Sequence, residues 1–183
     1  MAAPADITLK NLNGKFALNK SLSDDNDPIL KIQGIGWIQR KAISAANLEL
    51  TIKTYEQDGT THLDTAIKPS LGPPSTEERV LDWATEIEVK HPLFGNGKAQ
   101  AKWIKVSELQ SGEHADEFLA SGWESGTDEL IIMQNTLDSG AVTKLVHGFE
   151  VIKGERYYVR HVLCKKGSEV AKVKLVYDYA GSA

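Results

Sequence analysis

Beyond residue 47 the chain alternates apolar and polar positions in short runs, the period of strands half-buried in a sheet. Leu48, Leu50, Ile52 and Thr54 alternate with Glu49, Thr51, Lys53 and Tyr55, and Asp58-Gly59 is a strong two-residue hairpin turn. That turn sets Thr54 opposite Leu63, Ile52 opposite Thr65 and Leu50 opposite Ile67, so both apolar sets share one face. After a loop over 69–75, one long strand is predicted, with Leu81, Trp83, Thr85, Ile87 and Val89 facing inward and Asp82, Glu86 and Glu88 outward. A turn over 92–97 follows, then Ala99, Ala101 and Trp103 on the inner face. Residues 106–126 break the rhythm: Phe118, Leu119 and Trp123 stand at near-helical spacing and read as a helical insertion anchored by Trp123. The run 130–137 is apolar on both faces, so its orientation stays open.

The last three strands can be set against each other. Lys153-Gly154 and Lys166-Gly167 both read as two-residue turns. The first places Val151 opposite Arg156, Phe149 opposite Tyr158, His147 opposite Arg160 and Leu145 opposite Val162. The second places Val162 opposite Ala171, Arg160 opposite Val173, Tyr158 opposite Leu175 and Arg156 opposite Tyr177. Phe149, His147, Tyr158, Arg160 and Tyr177 then share one inward surface. A three-residue turn would invert every side chain. The register also leaves an outer row of Tyr157, Val159, His161 and Leu163 that is apolar for solvent.

Upstream, Leu12 to Leu18 reads as a first strand. Asp27 can cap a short helix beginning at Pro28, carrying Ile29, Leu30 and Ile32 and ended by Gly34 and Gly36. In all, nine or ten sequential antiparallel strands predict an up-and-down β-barrel, because closure removes exposed edges. Residues 1–183 form one such domain, with 1–8 expected to be a flexible N-terminus.

Composition narrows the function. Charged residues are 25% and hydrophobic ones 41% of 183, an ordinary globular balance with no need of disulfides or metal. A net charge of −4, with basic residues scattered among acids, disfavours nucleic acid. Cys164 is the only cysteine, so it reads as structural and excludes both an intrachain disulfide and a cysteine-built zinc site. The start of the chain has no secretory pattern and no segment reaches membrane-span length, so the cytoplasm is the expected compartment. The five histidines lack metal-ligand spacing, Asp24-Asp25-Asn26-Asp27 lacks the glycine and distal glutamate of a calcium loop, and no phosphate or dinucleotide motif is present. Neither a cofactor nor a metal is therefore expected.

The segment Gly14-Lys15-Phe16-Ala17-Leu18, a helical stretch, and Leu30-Lys31-Ile32-Gln33-Gly34-Ile35-Gly36-Trp37-Ile38-Gln39-Arg40-Lys41 resembles the fatty-acid-binding-protein branch of the calycins. The chain as a whole is similar to small lipocalin-like proteins of filamentous fungi. The resemblance implies a helical lid over a ligand-holding barrel. It departs from the family at Phe16, where tryptophan is usual, and at Leu175-Val176-Tyr177, where the family's carboxylate-binding Arg-x-Tyr keeps only its tyrosine. The fungal resemblance implies that some barrels of this kind serve natural-product pathways.

In the predicted register His147, Tyr158, Arg160 and Tyr177 make a polar end to an apolar cavity, as a small-molecule site requires. Arg160 would favour an anionic, phenolic or carbonyl group; its structural alternative is a core carboxylate partner. Trp83, Trp103, Phe149 and Leu175 complete the expected lining, the tryptophans serving either to stack on a planar ligand or to fill the core. His147, Arg160 and Tyr158 are the candidates for chemistry; for His147 the alternative is a histidine merely satisfied by a hydrogen bond. Arg40 is expected to link lid to barrel. Three functions fit: binding of a small hydrophobic molecule, a cofactor-free isomerase or cyclase on a natural-product intermediate, or a homodimer joined through Tyr157, Val159 and Leu163.

Overall fold

The computed structural model describes all 183 residues and orders ten strands in a single sheet. The elements are β1 (Gly14–Leu18), α1 (Asp27–Ile32), α2 (Trp37–Ala45), β2 (Leu48–Gln57), β3 (Thr60–Pro69), β4 (Ser75–Val80), β5 (Ile87–His91) and β6 (Gly95–Lys105). They continue with α3 (Val106–Gln110), α4 (Glu117–Ala120), β7 (Glu129–Leu137), β8 (Val142–Ile152), β9 (Glu155–Lys166) and β10 (Glu169–Gly181). Every neighbouring pair is antiparallel, and β1 bonds both β2 and β10, so the first strand joins the two halves into a barrel. The one unzipped seam lies between β4 and the β5–β6 hairpin, where only the bridges Leu81↔Ala101 and Asp82↔Lys102 form. This is the up-and-down barrel that the alternating pattern predicts.

The hairpin registers follow their turns. Asp58-Gly59 and Lys153-Gly154 both hold positive φ, the pair of left-handed residues a tight hairpin turn needs. Thr54 faces Leu63, and Phe149 and His147 face Tyr158 and Arg160, as expected. The last hairpin turns instead at Gly167-Ser168, since Lys166 pairs with Glu169. Arg160 therefore faces Leu175 and Tyr158 faces Tyr177, not Val173 and Leu175. The displacement is two residues, an even number, so every side chain keeps its predicted face.

Other expectations need correction. The long strand through 81–89 is broken. Its alternation runs on through a turn in which Asp82 accepts from the Thr85 N–H at 2.9 Å and the Thr85 hydroxyl at 2.7 Å, while Trp83 takes a φ of 61°. Asn26, not Asp27, stands at the cap of α1, and Asp27 instead accepts from Arg40 Nε at 2.9 Å. A second helix, α2, begins where the chain was expected to leave the lid. Arg40 thus ties α2 to α1, and Lys20 links α2 to the barrel by donating to Ser44 O and Ala45 O. Residues 1–8 are held rather than loose: Ala3 N–H donates to Arg156 O, Tyr179 N–H donates to Met1 O, and Ala3 and Ile7 are buried.

Two layers complete the barrel. At one end α1 sets Ile29 and Ile32 among Val162, Cys164, Ala171 and Val173. On the outer wall of β7–β9 the insertion lays Leu109, Leu119 and Trp123 over Leu130, Ile132, Gly148 and His161. Asp116 caps α4, accepting from Phe118 N–H at 3.0 Å and Leu119 N–H at 3.4 Å. This explains why β7 is apolar on both sides: Ile131 and Met133 face inward beside His147 and Leu145, while Leu130 and Ile132 face the insertion. Trp123 of the insertion and Leu22 of the loop after β1 cover the outer row at Tyr157 and Val159. Tyr157, Val159 and Leu163 are buried, Val159 at 0% exposure, so they form no free surface for a second subunit.

Gly148 is the contact point of that layer. A Cβ there would lie 2.6 Å from Trp123 Cε3 and 2.7 Å from Leu130 Cδ2. Gly148→Val is expected to lose about 1–3 kcal/mol of stability by overpacking, read as a lowered urea midpoint. An unchanged midpoint would show that the insertion does not dock as described.

Candidate functional site

Strands β8, β9 and β10 carry the polar row inside the barrel. His147, Tyr158, Arg160 and Tyr177 are all buried, with exposures of 0%, 0%, 6% and 1%. Arg160 Nε donates to Tyr158 Oη at 3.0 Å, and Tyr158 Oη stands 2.6 Å from His147 Nδ1. Because the phenol oxygen already accepts from Arg160, its own proton points to His147 Nδ1. A neutral His147 then carries its proton on Nε2. That Nε2 has no partner, and neither has Arg160 Nη2. The row thus presents two unused donors to the interior.

The electrostatics keep these groups in defined states. Burial, followed by the Arg160 and Arg79 charges, holds His147 well below its ordinary pKa, so it stays neutral at neutral pH. Burial raises the Tyr158 phenol despite the opposing pull of Arg160. Burial likewise pushes Tyr177 up to about 12. Arg160 keeps its charge, as guanidinium does in proteins. It lies 5.5 Å from the Tyr158 ring centre and 5.4 Å from that of Tyr177, with no carboxylate within ion-pair distance. The expected structural alternative, a carboxylate partner for Arg160, is absent.

The other predicted lining residues divide. Phe149 packs on Tyr158 at 5.9 Å between ring centres and carries the Arg156 guanidinium 3.7 Å above its own ring. Leu175 stands opposite Arg160 and packs on the core. Trp103 sits near the barrel mouth, donating to Thr61 Oγ1 at 3.3 Å. With Phe149, Arg156, Leu9 and Leu130 it lines a cleft of about 450 Å³ beneath the N-terminal segment. Trp83 does not line the interior. The break between β4 and β5 turns it against His114 of the insertion, 4.9 Å between ring centres, and under Lys102 on the outward face of β6.

The sequence reading missed Arg79. It lies on β4 opposite Leu63, hence on the inner face, and is 4% exposed. Its Nη1 donates to Glu78 O at 2.8 Å, its Nη2 approaches Asn135 Oδ1 at 3.4 Å and Glu77 at 3.7 Å, and its Nε has no partner. Pairing Thr65 and Leu63 with a following strand over 75–80 would have revealed it. Thr54 Oγ1 is a further unpartnered buried atom on the same wall system. Outside the barrel, a separate cluster joins His161, Glu150 and Lys174: His161 Nε2 to Glu150 at 2.6 Å, and Lys174 Nζ to Glu150 at 3.1 Å.

Two relatives match the chain over nearly its whole length. A protein of Mollisia scopiformis described as "Probable pericyclase scpY" is 41% identical, over 98% of this chain and 95% of its own. "Pericyclase pydY" of an Acremonium species is 36% identical, over 99% and 98%. The chain belongs to the family of these fungal pericyclases. At that coverage the insertion carrying α3 and α4 lies within the family match. No general family model matches the chain. Among solved structures the chain is similar to the REP1-NXSQ fatty acid transporter, with a TM-score of 0.59 at 17% identity over 94% of this chain and 98% of the other. It is also similar to the fluorescent protein UnaG, with a TM-score of 0.58 at 16% identity over 94% and 99%. A Schistosoma mansoni fatty acid binding protein gives a TM-score of 0.56 at 12% identity over 92% and 96%. These likenesses confirm the calycin fold.

The neutrality of His147 can be tested by linkage. Its native pKa lies below the unfolded value of 6.5, so the unfolded chain binds a proton that the native state refuses. The associated stability is complete above that value and is lost as pH falls toward the lower native pKa. Between about pH 7.5 and 5.5 the wild type should lose more urea stability than His147→Gln. Equal losses would mean that His147 titrates normally.

Proposed function

We propose that this protein encloses a small hydrophobic polyene in its barrel and catalyses its pericyclic rearrangement or cyclisation without a cofactor, acting in the cytoplasm rather than on nucleic acid. The observation that carries the reading is the buried Arg160–Tyr158–His147 row, with unused donors at Arg160 Nη2 and His147 Nε2. The full-length likeness to two proteins named as pericyclases supports it.

A pericyclic step moves bonding electrons round a ring of atoms and leaves the molecular formula unchanged. It needs no redox partner and no net proton transfer. The barrel can contribute in two ways. Its apolar interior, where Phe16, Leu50, Ile52, Leu63, Ile131 and Tyr177 are fully buried in the empty barrel, would repack around a flexible chain and hold it so that its reacting termini meet. The donors of Arg160 and His147 polarise a carbonyl conjugated with the reacting double bond, which lowers the barrier where charge develops. Tyr158 holds both donors in place rather than meeting the substrate with its own proton, which is committed to His147.

Passive carriage of a hydrophobic molecule is the second reading, favoured by the similarity to fatty acid carriers. Supplying this chain in place of the Acremonium pericyclase separates the two. The expected outcome is a cyclised product of the same mass as its precursor. Arg160→Met is expected to slow formation of that product at least about tenfold, the loss of one charged hydrogen bond. Stoichiometric capture of the unreacted precursor, with no product, would establish carriage and overturn catalysis.

A further inference from the structure

The helical lid closes the barrel at the β9–β10 turn, where α1 packs on Val162, Cys164, Ala171 and Val173. The other end, around the β8–β9 turn, is closed differently. Residues 1–12 lie across it outside any helix or strand, with a single internal bridge, Thr8↔Asn11. Their main chain meets that of the barrel at Ala3 N–H to Arg156 O and at Tyr179 N–H to Met1 O. Beneath this segment lies the cleft of about 450 Å³, whose apolar lining is Leu9, Trp103, Leu130 and Phe149.

One side chain fastens everything around the cleft. Arg156 Nη1 donates to Pro4 O at 3.0 Å and to Ile7 O at 2.8 Å, which holds the segment down. Its Nε donates to both Glu124 oxygens, at 3.1 and 2.9 Å, which holds the loop 121–128. The same guanidinium lies 3.7 Å above Phe149, whose ring centre is 5.9 Å from that of Tyr158. Phe149 thus stands between the cleft and the inner row, and Arg156 covers it from the cleft side.

Opening this end breaks no strand ladder, and a segment bound mainly through one side chain opens locally more readily than a packed helix. Lifting the other end would expose Ile29, Leu30 and Ile32 of α1, all buried. Of the side chains that residues 1–12 bury, Leu9 faces the cleft itself, so an apolar occupant keeps it covered. The charges at the rim cancel in pairs, Lys10 with Glu129 at 3.8 Å and Arg156 with Glu124 at 2.9 Å. The occupant that fits an apolar floor inside a neutralised rim is uncharged and hydrophobic.

We propose that this cleft is the entrance to the barrel and the first docking site of its substrate, which leads with its uncharged hydrocarbon end; residues 1–12 are the strap and Arg156 is the latch. This rests on the barrel-binding reading above and adds the route. The chain settles on Trp103 and Phe149, and release of Arg156 frees the strap, the loop and the outer face of Phe149 together.

Stopped-flow binding of N-phenyl-1-naphthylamine and 1,6-diphenylhexatriene, both uncharged and brighter when buried, tests it. Arg156→Met removes the latch but leaves an apolar cover on Phe149. It should raise association and dissociation rates together by at least about tenfold, through loss of charged hydrogen bonds, with Kd within about twofold. Glu124→Ala frees only the loop and should act in the same direction to a smaller degree; it carries the comparison should Arg156→Met fail to fold. Lys20→Met, which loosens α2 through an exposed side chain, should leave both rates within about twofold. Faster exchange in Lys20→Met with none in Arg156→Met places the entrance under the helices and overturns the proposal. So do unchanged rates in all three variants. A weaker Kd at an unchanged association rate overturns it as well, by making Arg156 a ligand contact. Failure of both probes to bind wild-type protein removes the barrel-binding reading and this one with it.

Discussion

Arg160 is a charge enclosed in an apolar barrel with no carboxylate beside it, and the interior is organised around that constraint. A bare guanidinium in such a place is strongly unfavourable. Here it is offset by the Tyr158 oxygen at 3.0 Å and by two tyrosine ring faces. The first contact has consequences beyond stability. By occupying the phenol oxygen as an acceptor, Arg160 directs the phenol proton to His147, which fixes the histidine tautomer and aims its remaining N–H inward. One contact thus defines the state of three residues on two adjacent strands.

The outer layer supplies the rigidity that the inner row requires. A strand whose two faces are both buried cannot slip register without exposing one apolar set. Beta8 and β9 meet that condition because the insertion covers Gly148, Val159 and His161 from outside while the core covers Phe149 and Tyr158 from inside. His161, held by Phe118 O on one ring nitrogen and Glu150 on the other, sits between Phe118 and Trp123. The polar outer cluster and the polar inner row therefore alternate along the same strand, His161 next to Arg160. Each is fully committed to its own side of the wall.

This alternation is why the placement of the inner row was largely legible in the sequence. Both end hairpins announce themselves through glycine turns, and parity alone then places His147, Phe149, Tyr158, Arg160 and Tyr177 on one face. Even the two-residue error at Gly167-Ser168 did no harm, because strand parity is insensitive to an even displacement. What parity could not show was where a strand stops. Residues 81–89 alternate without interruption, yet Asp82 folds the chain back on Thr85 and sends Trp83 outward. The same misreading hid β4, and with it Arg79. Nor could local pattern identify a cover: the apolar outer row reads as an exposed interface, yet Leu22 and Trp123, both distant in sequence, pack across it.

The fold by itself does not separate a carrier from a catalyst, since similar barrels include proteins named as fatty acid transporters. The difference must lie in how the interior is filled. A carrier gains from uniform burial of an apolar chain, and uniform binding leaves a reaction barrier untouched. Fixed donors without partners act differently, because their benefit is largest where oxygen charge grows during reaction. Arg160 Nη2, His147 Nε2 and Arg79 Nε are such donors, held by Tyr158, Asn135 and main-chain oxygen before any ligand arrives. Maintaining them buried and unpaired lowers stability in the empty barrel. A protein selected only for carriage has no use for that loss, whereas one that must favour a polarised transition state recovers it during the reaction.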